Sequence, residues 1–125
     1  VTGASGFLGS HVVLPLLEKG CRVRAYVSIA GTDVGLTRNF NTMAIVLTSE
    51  IAHDKFPEAL VGVDAVIHLA SPLPGQLEPA ALLATAIDGT LNTVVQAEKA
   101  GIKRIVVTSS IASVMNPQFS FTDQG

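Results

Sequence analysis

Nine residues at the start of the chain restrict it more than any other stretch: Val1-Thr2-Gly3-Ala4-Ser5-Gly6-Phe7-Leu8-Gly9. Gly3, Gly6 and Gly9 stand three apart, between the tail of an apolar strand and an amphipathic run. A strand that turns at once into a helix needs this chemistry. One glycine lets the chain reverse, one lets backbone come close to a bound pyrophosphate, and one lets the helix pack tightly on its strand. The helix start then aims free N–H groups and the positive end of its dipole at the anion. Glycine spacing alone is weak evidence, because turns are glycine-rich for structural reasons, so the surrounding pattern has to carry the reading.

That pattern is strongly apolar: 48% hydrophobic, 14% charged, mean hydropathy +0.48. The longest apolar runs, 12–17 and 65–70, stop at six or seven residues, each broken by a Pro, a His or a charge. A membrane-spanning helix needs about 18 to 20. The composition therefore suits parallel strands buried on both faces by helices, within about one domain, residues 1–125.

Leu8, Val12 and Leu16, with Val13 and Leu17, recur at helical spacing, and Gly20 stands where a left-handed cap would end the helix. Pro15 lies inside it, at a cost of about 3 kcal/mol in a helix interior, and predicts a kink or a displaced second half. Residues 21–27 read as the second strand and 43–48 as the third, with a loop and at most one short helix over 29–41. A short helix follows at 54–61, with Pro57 in its first turn. Residues 64–69 form the fourth strand, 70–76 a loop, 78–100 a long helix ended by Gly101, and 102–108 the fifth strand. On the long helix, Leu83, Ile87, Leu91, Val94 and Val95 define one apolar face, which could serve a homodimer. Gly89 costs about 1 kcal/mol there relative to Ala, and marks either close approach of another backbone or a plain weak spot.

Strands alternating with helices through short connections imply right-handed crossovers and an α/β, doubly wound parallel sheet. The expected strand order is 3-2-1-4-5, incomplete at both ends, with ligand outside the carboxyl ends of strands 1 and 4. Loops 3–9, the end of strand 2 near Ser28, 70–75 and 108–113 should converge there. A net charge of −2 with scattered Lys and Arg leaves no footprint for nucleic acid. The single cysteine, Cys21, permits no internal disulfide and suits a reducing, cytoplasmic compartment. Three histidines and that cysteine lie at no metal-ligand spacing, and no apolar run is long enough for a membrane span. The opening Val1 and the turn-like close at Gly125 read as the N-terminal part of a longer protein.

Three segments make the chain recognisable. Thr2-Gly3-x-x-Gly6-Phe7-Leu8-Gly9 resembles the glycine signature of the extended short-chain dehydrogenases/reductases, the epimerase/dehydratase-like group. Asp64-Ala65-Val66-Ile67-His68-Leu69-Ala70-Ser71-Pro72 is similar to its strand-4 segment, and Lys103-Arg104-Ile105-Val106-Val107-Thr108-Ser109-Ser110 to its strand-5 segment. Within the group the chain is most similar to the branch of dihydroflavonol, cinnamoyl-CoA and fungal aldehyde and ketone reductases. The resemblance implies a Rossmann-like fold and hydride transfer between NADP(H) or NAD(H) and a small carbonyl or alcohol substrate.

It also implies roles for residues. Gly3, Ser5, Gly6 and Gly9 would shape the cofactor turn, and the N–H groups of Phe7 and Leu8 would hold the pyrophosphate; both side chains also read as core residues. Glu50-Ile51 would meet the adenine, or Glu50 is a solvated loop carboxylate. Leu69, Ala70 and Ser71 would line ribose and nicotinamide, with Thr108 and Ser109 nearby, or simply end buried strands. His68 reads as a packed strand residue and His11 as a helix-surface one. Ser110 matches the family's catalytic serine, with Ser109 second, or each merely satisfies backbone groups at a strand end. The family's Tyr-x-x-x-Lys pair is absent: the one tyrosine, Tyr26, is followed four residues later by Ala30. The chain as given should therefore be inactive, with the pair beyond Gly125. Ser28 stands where this branch usually has an arginine for the NADP phosphate, so the preference for NADP over NAD rests on resemblance; Arg24 sits early in its strand, and Arg38 and Asp33 could act in opposite senses. Two alternatives stay open: a sugar-nucleotide epimerase or dehydratase, and a non-catalytic dinucleotide-binding redox sensor.

Overall fold

The computed structural model of the chain describes residues 1–28, 43–48, 51–52, 57–73, 75 and 77–111, the side chains of Ser28 and 43–48 excepted. After the glycine turn come helix α1 (Phe7–Glu18), strands β1 (Val23–Ser28) and β2 (Met43–Thr48), helix α2 (Pro57–Leu60), strand β3 (Val66–His68), helix α3 (Pro79–Lys99) and strand β4 (Ile105–Val107). The expected loop at 29–41 lies outside the described residues.

Three strands, β1, β3 and β4, start later than expected, and for β1 and β4 the reason is the same. The Cys21 N–H closes α1 onto the Leu16 carbonyl at 2.9 Å, and the Ile102 N–H closes α3 onto the Ala97 carbonyl at 3.0 Å. Those donors cap helices, so the ladders begin after them. Pro15 does not divide α1. The helix runs on to Glu18, and the Lys19 N–H returns to the Pro15 carbonyl at 3.1 Å. Pro15 and His11 are both exposed, so water can take the carbonyl that the proline leaves without a donor.

Strand β1 pairs in parallel with β2 from Val23↔Met43 to Ser28↔Thr48, and β3 pairs in parallel with β4 from Val66↔Ile105 to His68↔Val107. Thr2 lies between the two pairs, in a parallel bridge to Tyr26 on one side and His68 on the other. The Tyr26 N–H reaches the Val1 carbonyl at 2.8 Å, and the Thr2 N–H reaches the Ile67 carbonyl at 2.9 Å.

Helices cover both faces. Val23, Ala25 and Val27 of β1 pack with Ala4 and Val13, and Leu16 and Leu17 of α1 close over them. Tyr26, on the opposite face of β1, packs with Leu60, Val66, Ala97 and Ile102, against α2 and α3. The alternation along one strand thus serves two cores, as a parallel sheet buried on both sides requires.

Helix α3 corrects one expectation, at Gly89, and shows which of its faces meets the sheet. Its buried residues are Gly89, Thr93 and Ala97, one turn apart. Leu83, Ile87, Leu91 and Val95 are instead 40 to 60% exposed. Small residues let the helix settle close to the sheet, which turns the larger apolar stripe outward. At Gly89 the approaching group is a side chain rather than backbone: an added Cβ would stand 3.2 Å from Ile51 Cγ2.

Candidate functional site

The glycines of the opening turn divide their work. Gly3 has φ +63°, a left-handed conformation, and an added Cβ would stand 2.8 Å from the Ala70 nitrogen and 2.9 Å from its Cα. The turn therefore lies directly against the loop after β3, and any side chain at Gly3 would part them. A Cβ on Gly9 would overlap the Gly3 carbonyl oxygen and stand 2.7 Å from Ala4 Cα. This is the tight seat of α1 on the turn. Gly6 is different: it is exposed, and its Cβ would meet only the Gly3 carbonyl at 3.4 Å, an ordinary contact.

Gly6 is also the N-cap of α1. It offers no side-chain cap, and the first turn holds no acidic residue. The N–H groups of Phe7 and Leu8 open the helix, with no carbonyl one turn back within it. The arrangement suits an anion: first-turn donors, a favourable dipole and an approach lined by glycine. The side chains of Phe7 and Leu8 are 84% and 48% exposed, which corrects their reading as core residues. They precede the stretch of α1 that faces β1, where Val13, Leu16 and Leu17 do the packing. The Phe7 ring lies 4.6 Å from the exposed His11 ring.

Thr2 ties this turn to the next strand. Its hydroxyl oxygen accepts the N–H of Leu69 at 3.1 Å and of Ala70 at 3.2 Å, and lies 2.8 Å from His68 Nδ1. With both lone pairs taken, the hydroxyl proton has to go to Nδ1. His68 is then the neutral tautomer with its proton on Nε2, which donates to Thr90 Oγ1 at 3.2 Å; Thr90 in turn donates to the Ala86 carbonyl at 2.9 Å. His68 is 3% exposed, and burial holds its pKa below the ordinary 6.5. It is a packed, hydrogen-bonded strand residue, as its sequence context suggested.

The remaining candidates fall around the same sheet edge, where the carboxyl ends of the parallel strands lie. Ser5 is half-buried in the turn, and Gly9 is buried at the helix start. Leu69 and Ala70 are half-buried beside Gly3, while Ser71 is exposed, its hydroxyl 3.5 Å from the Pro72 carbonyl. The Thr108 N–H donates to the His68 carbonyl at 3.0 Å, which brings the end of β4 beside that of β3; Thr108, Ser109 and Ser110 are all exposed. Ser28 ends β1 opposite Thr48. Ile51 is half-buried, and its carbonyl accepts the Asn92 side-chain amide at 2.7 Å. Glu50, Asp33 and Arg38 lie outside the described residues. Arg24 is committed elsewhere: its guanidinium donates to the carbonyls of Ala59 at 2.7 Å and Val61 at 2.9 Å, at the end of α2. Tyr26 is 6% exposed and belongs to the core.

Thr2, Thr90 and Asn92 did not stand out in the sequence. Thr2 carried a signal, as a hydroxyl residue at the end of a buried strand, immediately before the turn. The two on α3 carried none, because their partners lie 22 and 41 residues away. Among the described residues no group of His, Cys, Asp and Glu could hold a metal ion, and no helix is long and apolar enough to cross a membrane. A cavity of about 800 Å³ opens at the amino-terminal ends of β1 and β3; Thr2, Arg24 and Tyr26 line it, and none of the residues of the glycine turn from Gly3 to Gly9 or of the loops after β3 and β4 does.

A parallel α/β sheet with a glycine turn before its first helix, flanked by the β3 and β4 loops, is the architecture of Rossmann-fold dinucleotide-binding domains, the short-chain dehydrogenases/reductases among them. Within it, the chain belongs to the 3-beta hydroxysteroid dehydrogenase/isomerase family, whose model matches residues 1–122. It is 35% identical over 123 residues to cinnamoyl-CoA reductase 1 of Petunia hybrida, a match covering 94% of this chain and 36% of that protein. It is 32% identical over 125 residues to aldehyde reductase 2 of Sporidiobolus salmonicolor, with the same coverage of both chains. Among solved structures it resembles Gre2 of Candida albicans in complex with NADPH, with a TM-score of 0.75 and 31% identity, covering 89% of this chain and 36% of that one. The chain thus spans about a third of the length of these relatives.

Proposed function

We propose that residues 1–125 form the cofactor-binding domain of an NADP(H)-dependent oxidoreductase acting on a small carbonyl or alcohol substrate. One observation carries the reading: an uncapped helix start, free of acidic residues, behind a glycine turn whose exposed member, Gly6, leaves its outer side open. Phe7 and Leu8 would hold the pyrophosphate through their backbone N–H groups. Leu69, Ala70 and Ser71 would line the ribose and nicotinamide, and Glu50 and Ile51 the adenine. Strand order 3-2-1-4-5 is the topology that the Thr2 bridges support, with Thr2 in strand 1. When bound, the nicotinamide supplies or accepts hydride. Ser110 would donate a hydrogen bond to the substrate oxygen. That bond strengthens as negative charge develops there, and so favours the transition state. A Tyr-x-x-x-Lys pair, absent from these 125 residues, would complete the proton transfer.

Reduction of a carbonyl is favoured over epimerisation because the relatives at 32 to 35% identity bear reductase names. The preference for NADP rests on resemblance and on the NADPH complex of the Candida relative. Arg24, bonded to two carbonyls, is a poor partner for a 2′-phosphate, which leaves Ser28 as the neighbouring polar residue at the end of β1. The outward stripe on α3 is where the expected homodimer would form.

The test is titration of NADPH and NADH against the protein at its full natural length, followed by turnover of small aldehydes and ketones. NADPH should bind more tightly, Ser28→Arg should tighten it further, and Ser110→Ala should lower kcat with little change in cofactor affinity. Tighter NADH binding would overturn the NADP assignment. Bound cofactor with no carbonyl reduction would favour the epimerase or sensor reading.

A further inference from the structure

The glycine turn and the β3 loop are held together by a buried titratable group. Thr2 can accept the Leu69 and Ala70 amides only while its own proton goes to His68 Nδ1. A protonated imidazole carries N–H on both ring nitrogens. Its Nδ1–H would then face a hydroxyl oxygen whose lone pairs already serve two amides. One of those amides would have to let go, and both belong to the segment seated on Gly3.

We propose that Thr2 and His68 are positioning residues that make dinucleotide affinity depend on pH: neutral His68 lets Thr2 hold Leu69 and Ala70 against the glycine turn, and protonation releases that hold. The proposal rests on reading the turn as a dinucleotide site.

The groups around the ring leave His68 as the titrating member. The segment before the turn brings Thr2, α3 brings Thr90, and β4 brings its register partner Val107, none of them titratable near neutrality. The charged residues closest in sequence to those contacts, Asp88 on α3 and Lys103 and Arg104 ahead of β4, are exposed. The lowered His68 pKa has burial as its cause, with no contribution from a neighbouring charge. The sign follows. Dinucleotide binds the neutral arrangement, so affinity is full while His68 is neutral and falls as pH drops through its folded-state pKa, which burial holds below 6.5. Losing one amide hydrogen bond sets the scale at about fivefold in Kd.

The experiment measures NADH binding by fluorescence on the protein at full length, between pH 7.5 and 5. NADH is the probe because the 2′-phosphate of NADPH itself titrates near pH ~6. The wild type should lose affinity by about fivefold on acidification. His68→Asn keeps an acceptor for Thr2 but cannot titrate, so it should bind as tightly as wild type at pH 7.5 and stay flat. Thr2→Val should bind weakly at both ends of the range. A flat wild-type profile, or a wild-type slope retained in His68→Asn, would overturn the proposal. If that variant does not fold, ¹⁵N NMR of the histidines in the wild type decides instead. A neutral Nε2–H tautomer whose pKa falls on NADH binding supports the proposal, and a pKa unmoved by NADH refutes it. No NADH binding at any pH by the folded protein would refute the dinucleotide reading itself.

Discussion

Replacing Gly9 with Ala adds one methyl group at the point where α1 sits on the glycine turn. Every atom it meets is backbone: the Gly3 carbonyl oxygen, and Ala4 Cα and carbonyl carbon at 2.7 and 2.8 Å. Comfortable carbon contacts lie near ~3.5 to 4 Å, so the helix start has to retreat by about 1 Å. No rotamer change can relieve an overlap with backbone. Over-packing of this kind costs about 1 to 3 kcal/mol. The overlap with backbone places this case at the upper end, about 3 kcal/mol, and the better helix propensity of Ala returns up to ~1 kcal/mol, which leaves a net loss of about 2 to 3 kcal/mol. The retreat also carries the Phe7 and Leu8 N–H groups away from the turn, so cofactor affinity should fall with stability. Urea unfolding of the full-length protein reads the first effect and NADPH titration the second. Gly6→Ala is the control. Its methyl would meet only the Gly3 carbonyl at 3.4 Å, and Gly6 has φ −74°, so stability should stay within about 0.5 kcal/mol while NADPH affinity falls. A Gly9→Ala protein as stable as wild type, or a Gly6→Ala protein equally damaged, would refute this division of labour.

Stability should also fall on acidification: with the folded-state pKa of His68 below 6.5, the unfolded chain binds the extra proton first, so the contribution of His68 is full above pH 6.5 and declines below it. Urea midpoints between pH 7.5 and 5 check this, and His68→Asn should remove that part of the slope. Arg24→Met keeps the aliphatic stem but frees the Ala59 and Val61 carbonyls, and should cost about 1 to 2 kcal/mol in the same assay. An unchanged midpoint would mean that the guanidinium does not hold the end of α2. Gly89→Ala should be close to neutral in thermal unfolding, because its methyl meets the flexible Ile51 Cγ2 at 3.2 Å and Ala favours the helix by about 1 kcal/mol; a large loss would mean that Ile51 cannot yield.

The course of the chain was legible because local chemistry writes it. Glycine after a helix marked the ends of α1 and α3, where Gly20 and Gly101 take φ +77°. Apolar runs located every strand, and β2 matches its run at 43–48. Strand starts were less legible, because an N–H that caps a helix cannot also enter a ladder, and Cys21 and Ile102 make that choice through space. Which face of α3 meets the sheet was not legible, for a related reason. Its large apolar residues share a stripe, but distance to the sheet decides which stripe turns inward, and Gly89, Thr93 and Ala97 permit the closer fit.

The sequence by itself determined the alternation of strand and helix, the glycine turn and the family, because each depends on residues near one another in the chain. It also carried the absence of Tyr-x-x-x-Lys from these residues. Only the tertiary structure decided what each glycine touches, since Gly3 meets Ala70 across 67 residues of chain. It alone joined Thr2 to His68 and Thr90, and committed Arg24 to α2. A hydroxyl or a guanidinium can satisfy many partners, and which one it finds depends on where the packed sheet places the other donors and acceptors.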